Sequence, residues 1–124
     1  MPDTDAVPGA ALALHLIDQA RAARRPILAI LRSASRLPRI AAMAHAMGTG
    51  TEVLVLPPWD VLPYDPAPPS PAIVGQRMRA LQALARPPAG PRLLLTAAAA
   101  LQRVRPAADL QPDPMLRPGD ALDP

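Results

Sequence analysis

Residues 27–31 read ILAIL and lie between Pro26 and Arg32. A run of five apolar residues bounded in this way has the length of a strand that is buried on both faces, as in a parallel sheet. Two more short apolar runs follow along the chain, VLVL at residues 53–56 and LLL at residues 93–95. The three runs predict three buried strands.

Helical patterns precede, separate and follow these runs. Apolar residues recur three or four positions apart in residues 9–23, 37–47 and 71–85, and an alanine-rich segment covers residues 97–104 before Pro106. This alternation predicts an α/β domain with a small three-layer parallel sheet, flanking helices and right-handed connections. Because three strands are few for a parallel sheet, we expect at least one open edge, which favours part of a larger domain.

The sequence also predicts where the helices begin and end. Ser35, Ser70 and Thr96 are expected to cap the last three helices, and glycine at position 48 to end the second helix. Prolines suit first turns, so Pro38 and Pro71 fit the same scheme. The expected buried face of the third helix consists of Val74, Met78, Leu81 and Ala85.

Composition limits the class of protein. The 124 residues are enough for one modest domain, with thirteen Arg, no Lys, no Cys and a net charge of +3. The arginines form no run, so no dense nucleic-acid footprint is expected. The absence of Cys excludes disulfides and thiolate zinc sites. With no long apolar run and no basic leader, we expect a cytoplasmic protein without a membrane partner.

The loops after the predicted strands carry no recognisable catalytic centre. The first, RSASRLP at residues 32–38, has neither the glycines nor the lysine of a phosphate loop. The segment GTGT at residues 48–51 follows a helix and precedes a strand, the reverse of the order that phosphate binding requires, so we interpret it as a turn.

The candidate nucleophiles and metal ligands also lack their usual settings. His15 and His45 lie in different predicted helices without a carboxylate at ligand spacing, which indicates surface histidines. Ser33, Ser35 and Ser70 lack a GxSxG context and fit helix starts. We therefore predict no catalytic, cofactor-binding or metal residue in this chain.

Residues 56–77, LPPWDVLPYDPAPPSPAIVGQR, contain the only Trp and the only Tyr of the chain. Trp59 and Tyr64 could form a local core under the loop or an anchor for a partner, and we favour the local core. Asp60 and Asp65 could form a carboxylate pair, but in such a loop they more often bond nearby backbone N–H groups, and we favour the turn.

Arg77 lies among apolar residues on one side of the third predicted helix. A charge at such a position needs a partner or a route to water. Two interpretations stay open. Its side chain either extends along the apolar face to water, or donates to Asp65 or to carbonyls of the proline-rich loop and fixes that loop to the helix.

A family resemblance rests on the pattern PxWDxLPYDxxxPSPxxxxxR after the second strand and on LQRVxP near the end. The matching residues are Trp59, Asp60, Leu62, Pro63, Tyr64, Asp65, Ser70, Pro71 and Arg77, and then Leu101, Gln102, Arg103, Val104 and Pro106. Over about residues 26–123 the chain resembles the amino-terminal region of bacterial transcription-repair coupling factor (Mfd). That family is a DNA translocase that removes stalled RNA polymerase and recruits nucleotide excision repair.

The resemblance implies a fold and a set of partners. Residues 1–106 would form a partial domain similar to the first domain of UvrB, a component of the excision nuclease, without a phosphate loop, and residues 107–124 a linker or the start of the next segment. Family members use ATP and magnesium and contact UvrA, RNA polymerase and DNA, but the motifs responsible have no counterpart in this chain. The fragment would therefore be a non-catalytic scaffold with no cofactor of its own.

Two alternatives from other classes remain. One is a free-standing α/β protein that binds a nucleotide or phosphate through an atypical loop after the first strand, using Ser33 and Ser35. The other is a small interaction adaptor that presents Trp59 and Tyr64 to a partner.

Overall fold

The computed structural model describes residues 7–62 and 64–101. Three strands and four α-helices follow one another, with a short 3-10 turn before the second helix. The elements are α1 Gly9–Ala22, β1 Ile27–Leu31, the turn Ala34–Arg36, α2 Leu37–Met47, β2 Glu52–Leu56, α3 Pro71–Leu84, β3 Arg92–Ala97 and α4 Ala98–Leu101. All three predicted strands are confirmed, β1 with the expected bounds.

The sheet is parallel, and β3 lies between β1 and β2. The chain therefore crosses from β1 past the position of β3 to β2, and then returns to the centre. Two right-handed connections that run in opposite directions place their helices on opposite faces of a sheet. Accordingly α2 packs on one face together with α1, and α3 packs on the other. The predicted α/β class and three-layer arrangement are confirmed.

The larger core lies between the sheet and the layer formed by α1 and α2. Ile17 from α1, Ile40 from α2, and Leu93 and Leu95 from β3 are all but fully buried there. Alternate residues of a strand point to opposite faces, so these two β3 leucines share one side of the sheet. This layer holds more of the buried apolar residues than the opposite face of the sheet does.

The second face of the sheet is only partly covered. Helix α3 packs on β2, and Ala80 and Leu56 belong to the same buried cluster, but α3 does not extend over β1. Leu28 and Ile30 of β1 therefore remain 52% and 50% exposed. Among residues 7–62 and 64–101 no strand pairs with the outer edge of β1 or of β2, as expected for a narrow parallel sheet.

Two of the three predicted helix caps are wrong. Ser70 does cap α3, since its hydroxyl accepts the N–H of Ile73 at 3.4 Å. Ser35 instead lies in the 3-10 turn and bonds the hydroxyl of Ser33 at 2.7 Å. Thr96 belongs to β3, where its hydroxyl donates to the carbonyl of Leu56 at 2.8 Å, so strand pairing extends past the position at which a helix was expected to begin.

The predicted buried face of α3 is also wrong. Val74 and Met78 are exposed, Ala85 is exposed beyond the end of the helix, and only Leu81 of the four packs partly against the core. Arg77 is instead 2% exposed. The helix is rotated about its axis so that the guanidinium group of Arg77 reaches backbone carbonyls. The spacing of apolar residues along one helix gives no information about carbonyl acceptors on other elements, so it predicted the wrong face.

Gly48 ends α2, as predicted, and its N–H donates to the carbonyl of Ala44 at 2.8 Å. A Cβ at this position would lie 2.5 Å from that carbonyl oxygen and 2.7 Å from Cδ1 of Ile17. The clash with the Ala44 carbonyl, to which the Ile17 side chain of α1 adds a second, therefore requires glycine here, although φ is not unusual. The expected end of the fourth helix, Pro106 and the segment 107–124 lie outside the described residues.

Candidate functional site

The carboxyl end of β2 leads into the proline-rich loop, and Arg77 of α3 holds the start of that loop in place. Its Nη1 donates to the carbonyl of Pro57 at 2.5 Å, and both Nη1 and Nη2 reach the carbonyl of Ala100 in α4, at 3.4 and 3.3 Å. One side chain therefore connects the loop after β2 with the helix after β3. Of the two interpretations of Arg77, donation to loop carbonyls is the one observed, and Asp65 is not the acceptor.

The ring of Trp59 covers the same guanidinium group. The Cζ atom of Arg77 lies 4.3 Å from the ring centroid, a distance at which the cation is attracted to the negative face of the indole. Burial lowers the pKa of Arg77 from its ordinary value, but an arginine stays protonated in proteins at neutral pH. The site therefore holds a permanent buried cation, stabilised by carbonyl dipoles and one aromatic ring.

Both aspartates of the loop accept backbone N–H groups. The carboxylate of Asp60 accepts the N–H of Ser70 at 3.2 and 3.3 Å, and Oδ1 of Asp65 accepts the N–H of Ala67 at 3.0 Å. Interaction with the Ser70 side chain, and then with its backbone N–H, lowers the pKa of Asp60. The turn interpretation is confirmed, because the two carboxylates form separate local contacts.

The two aromatic residues of the loop have different environments. Trp59 is half-buried against Arg77, whereas Tyr64 is 97% exposed and Leu62 is 76% exposed. The favoured local core is therefore wrong for Tyr64 and holds only in part for Trp59. The physical reason is that the short tip of the loop has no neighbouring element to cover it in the described part of the chain.

A groove of about 840 Å³ runs along the outer edge of β2. Its floor is formed by residues 53–55 of that strand, one wall by α2 and the other by α3, and Trp59 and Asp60 close one end. Sequence reasoning did not identify this groove. The signal for it was present in the short apolar run of β2, which carries no charge within residues 53–56 to protect an exposed edge.

The remaining candidates stay apart from one another. His45 lines the groove and its Nδ1 bonds the carbonyl of Ala41 at 2.8 Å, while His15 is exposed on α1. Arg36, in the loop after β1, donates to the carbonyl of Val7 at 2.6 Å. Of the residues that carry the family resemblance, called the signature residues from here on, Pro63, Gln102 and Arg103 lie outside the described residues.

Within residues 7–62 and 64–101, no group of three or more His, Asp or Glu side chains could hold a metal ion. No helix in that part of the chain is both long enough and apolar enough to cross a membrane. Comparison with models of protein families, with curated proteins and with solved structures found no match for this chain.

Proposed function

We propose that this chain is an amino-terminal, non-catalytic segment of a transcription-repair coupling factor. Such a protein is an ATP-dependent DNA translocase that displaces stalled RNA polymerase and recruits nucleotide excision repair in the cytoplasm. The role of this UvrB-like segment is to act as scaffold for the module that contacts the excision-repair protein UvrA. ATP, magnesium, DNA and RNA polymerase are handled by other parts of the protein.

The observation that carries the proposal is the structural use of the signature residues. Asp60 and Ser70 bond each other across the loop, while Trp59 and Arg77 stack at its base. A catalytic residue needs a polar group that can meet a substrate. The polar groups of Asp60, Ser70 and Arg77 are instead used to hold the loop against α3.

The uncovered part of the sheet supports the same proposal. Leu28 and Ile30 on β1, and the outer edge of β2, leave apolar side chains and backbone groups without neighbours in the described part of the chain. Surfaces of this kind are costly in an isolated domain and are normal where a domain packs against further elements. A scaffold segment within a larger protein would have them covered.

The gene provides the first test. The reading frame is sequenced beyond the codon of Pro124 in the source genome. The proposal predicts an open frame that encodes the motifs of a DNA translocase. An intact gene with a stop codon directly after that position would contradict it.

The second test concerns nucleotide binding. The purified 124-residue chain is titrated with ATP and magnesium in a calorimeter, and no saturable heat is expected because the loop after β1 lacks the glycines and lysine of a phosphate loop. A dissociation constant in the micromolar range would contradict the proposal and favour a nucleotide-binding protein.

The exposed tip of the loop favours a second candidate, an interaction adaptor. Leu62 and Tyr64 present two large apolar side chains at the end of a connection fixed at its base, as an interface anchor requires. A photo-crosslinking amino acid placed at position 64 should give one dominant product in cells. The same group at Gln19, on the exposed face of α1, serves as the control, and equal products at both positions would count against an adaptor.

A further inference from the structure

Folding brings together arginines that are scattered along the sequence. All strands of a parallel sheet begin at the same edge, and here that amino edge is formed by residues 21–26, 47–52 and 84–92. It carries five of the ten arginines in the described residues, Arg21, Arg24, Arg25, Arg86 and Arg92. The one acidic residue within these three ranges is Glu52. Because the arginines form no run along the chain, the sequence alone gives no sign of this basic edge.

Two of the five arginines are used within the fold. Nε of Arg92 pairs with Glu52 at 2.6 Å, and its Nη1 donates to the carbonyl of Arg86 at 2.9 Å. Nη2 of Arg21 donates to the carbonyl of Thr49 at 3.0 Å. The single carboxylate of the amino edge is therefore already paired with a buried arginine.

The other three arginines of the edge, Arg24, Arg25 and Arg86, are exposed. Their guanidinium groups form no ion pair or hydrogen bond within residues 7–62 and 64–101. Arg24 and Arg25 come shortly before β1, and Arg86 lies in the connection that leads to β3. These two strands are paired neighbours, and continuing their register places Arg25 level with Pro91. Three unpaired cations therefore lie on adjacent connections.

Helix dipoles account for only part of this positive charge. Helices α1, α2 and α3 all end at the amino edge, and the carboxyl end of a helix carries about half a negative charge. Five arginines less one glutamate leave four net positive charges, of which three helix ends offset about 1.5. An excess of more than two positive charges is left at the surface.

The opposite edge of the sheet does not share this excess. The connections that follow β1 and β2 carry Arg32 and Arg36, but they also carry Asp60 and Asp65. Positive and negative side chains are therefore balanced in these two connections. The positive potential of the described domain is concentrated at its amino edge.

The composition of the amino edge favours a nucleic acid over a protein as its partner. Protein interfaces are built around apolar and aromatic anchors, and none of the large exposed apolar side chains of the described chain lies within the three ranges of this edge. The planar fork of an arginine suits a phosphate group. Proteins bind single strands by stacking the bases on aromatic rings. The three ranges contain no aromatic residue, which favours a duplex.

We infer that the amino edge binds the phosphate backbone of double-stranded nucleic acid through Arg24, Arg25 and Arg86, without reading its sequence. The outer strands of the sheet lie about 10 Å apart, and duplex DNA carries one negative charge per about 1.7 Å of its axis, so the edge faces several phosphates. This contact goes beyond the proposed function, because it is additional to the parts of the protein that handle DNA. It does not depend on the family resemblance.

The test measures binding of the full 124-residue chain to a fluorescent 20-base-pair DNA duplex by anisotropy. Three phosphate contacts predict that the affinity falls about 40-fold between 50 and 200 mM salt. A DNA duplex of scrambled sequence should bind within twofold of the first. An RNA duplex of the same length is measured in parallel, and the tighter of the two identifies the natural source of the backbone. A polyglutamate peptide of 20 residues should compete at least tenfold less well than unlabelled DNA.

Charge reversal provides the matched comparison. R24E/R25E should weaken binding to the duplex at least tenfold at 50 mM salt and should lower the slope of log affinity against log salt by about 2. R32E/R39E changes the net charge of the chain by the same amount, near the opposite edge, and should alter the affinity less than threefold. Circular dichroism confirms that each variant is folded. The salt dependence of the unchanged chain tests the contact even where a variant is not.

Four results would overturn the proposal. The folded chain binds neither duplex at 50 mM salt, or its affinity does not change with salt. The two double variants weaken binding equally, in which case the net charge of the chain and not the amino edge is responsible. Polyglutamate competes as well as DNA, in which case the edge binds an acidic protein segment.

Discussion

Replacing Arg77 by alanine removes the contact that joins the β2–α3 loop, α3 and α4. The bond from the guanidinium group to the carbonyl of Pro57 is charge-assisted, and such bonds contribute about 1.5–3 kcal/mol. The stacking on Trp59 adds about 0.5–2 kcal/mol. The longer bonds to Ala100 add less, and the relief of burying a charge offsets part of the total.

We therefore expect R77A to lower the free energy of unfolding by about 2–4 kcal/mol, because it leaves the Pro57 carbonyl without its donor and removes the stacking on Trp59. This is a large share of the 5–15 kcal/mol typical of a small domain. With an m-value of about 1.5 kcal/mol/M, the urea midpoint falls by about 1.5–2.5 M. R77K keeps a donor but not the planar fork, so its midpoint should lie between those of the wild type and R77A.

Urea unfolding followed by tryptophan fluorescence is the assay, because the only Trp stacks on the residue that is changed. R79A is the matched control, since Arg79 is two positions away on the same helix and is exposed. Its effect should stay within about 0.5 kcal/mol. If R77A shifts the midpoint no more than R79A does, the structural role assigned to Arg77 is wrong.

Four further substitutions test separate parts of the structure. G48A should destabilise the fold by about 1–3 kcal/mol, because the added Cβ would lie 2.5 Å from the carbonyl oxygen of Ala44. G75A should instead stabilise α3 by about 0.5–1 kcal/mol, because a Cβ at position 75 meets nothing within 4 Å. Thermal melts that rank the two variants the other way would contradict this. T96V removes the donor to Leu56 at nearly constant volume and should cost about 1 kcal/mol in urea unfolding, so an unchanged midpoint would show that the bond contributes nothing. The lowered pKa of Asp60 stabilises the fold above the ordinary value of 3.8, and this contribution disappears as the pH falls through the folded-state pKa. Urea midpoints measured from pH 5 to pH 2 should therefore fall less steeply in D60N than in the wild type, and identical slopes would show that Asp60 does not contribute.

The strands could be predicted from the sequence because each is a short apolar run with clear boundaries. The run at 27–31 matched β1 at both ends, since Pro26 and Arg32 mark its limits. The strand predicted at 93–95 is three residues shorter than β3, which also contains Arg92, Thr96 and Ala97. Thr96 and Ala97 suit a helix start locally, but in the fold they pair with neighbouring strands. Local preference is a weak guide where strand pairing decides the outcome.

The candidate site was predictable only in part. The turn contacts of Asp60 and Asp65 are local, and residue type and spacing were enough to indicate them. The burial of Arg77 depends on the carbonyl of Ala100, which lies 23 positions away along the chain. The exposure of Tyr64 likewise depends on which elements lie nearby, and such tertiary information is not present in one stretch of sequence.

The β2–α3 loop is held to α3 through Arg77 and Trp59, and a double-mutant cycle tests this claim most directly. The wild type, R77M, W59L and the double variant are unfolded in urea and followed by circular dichroism, since the tryptophan is absent from two of them. We predict a coupling free energy of about 1–2 kcal/mol between the two positions. Additivity within about 0.3 kcal/mol would contradict the claim.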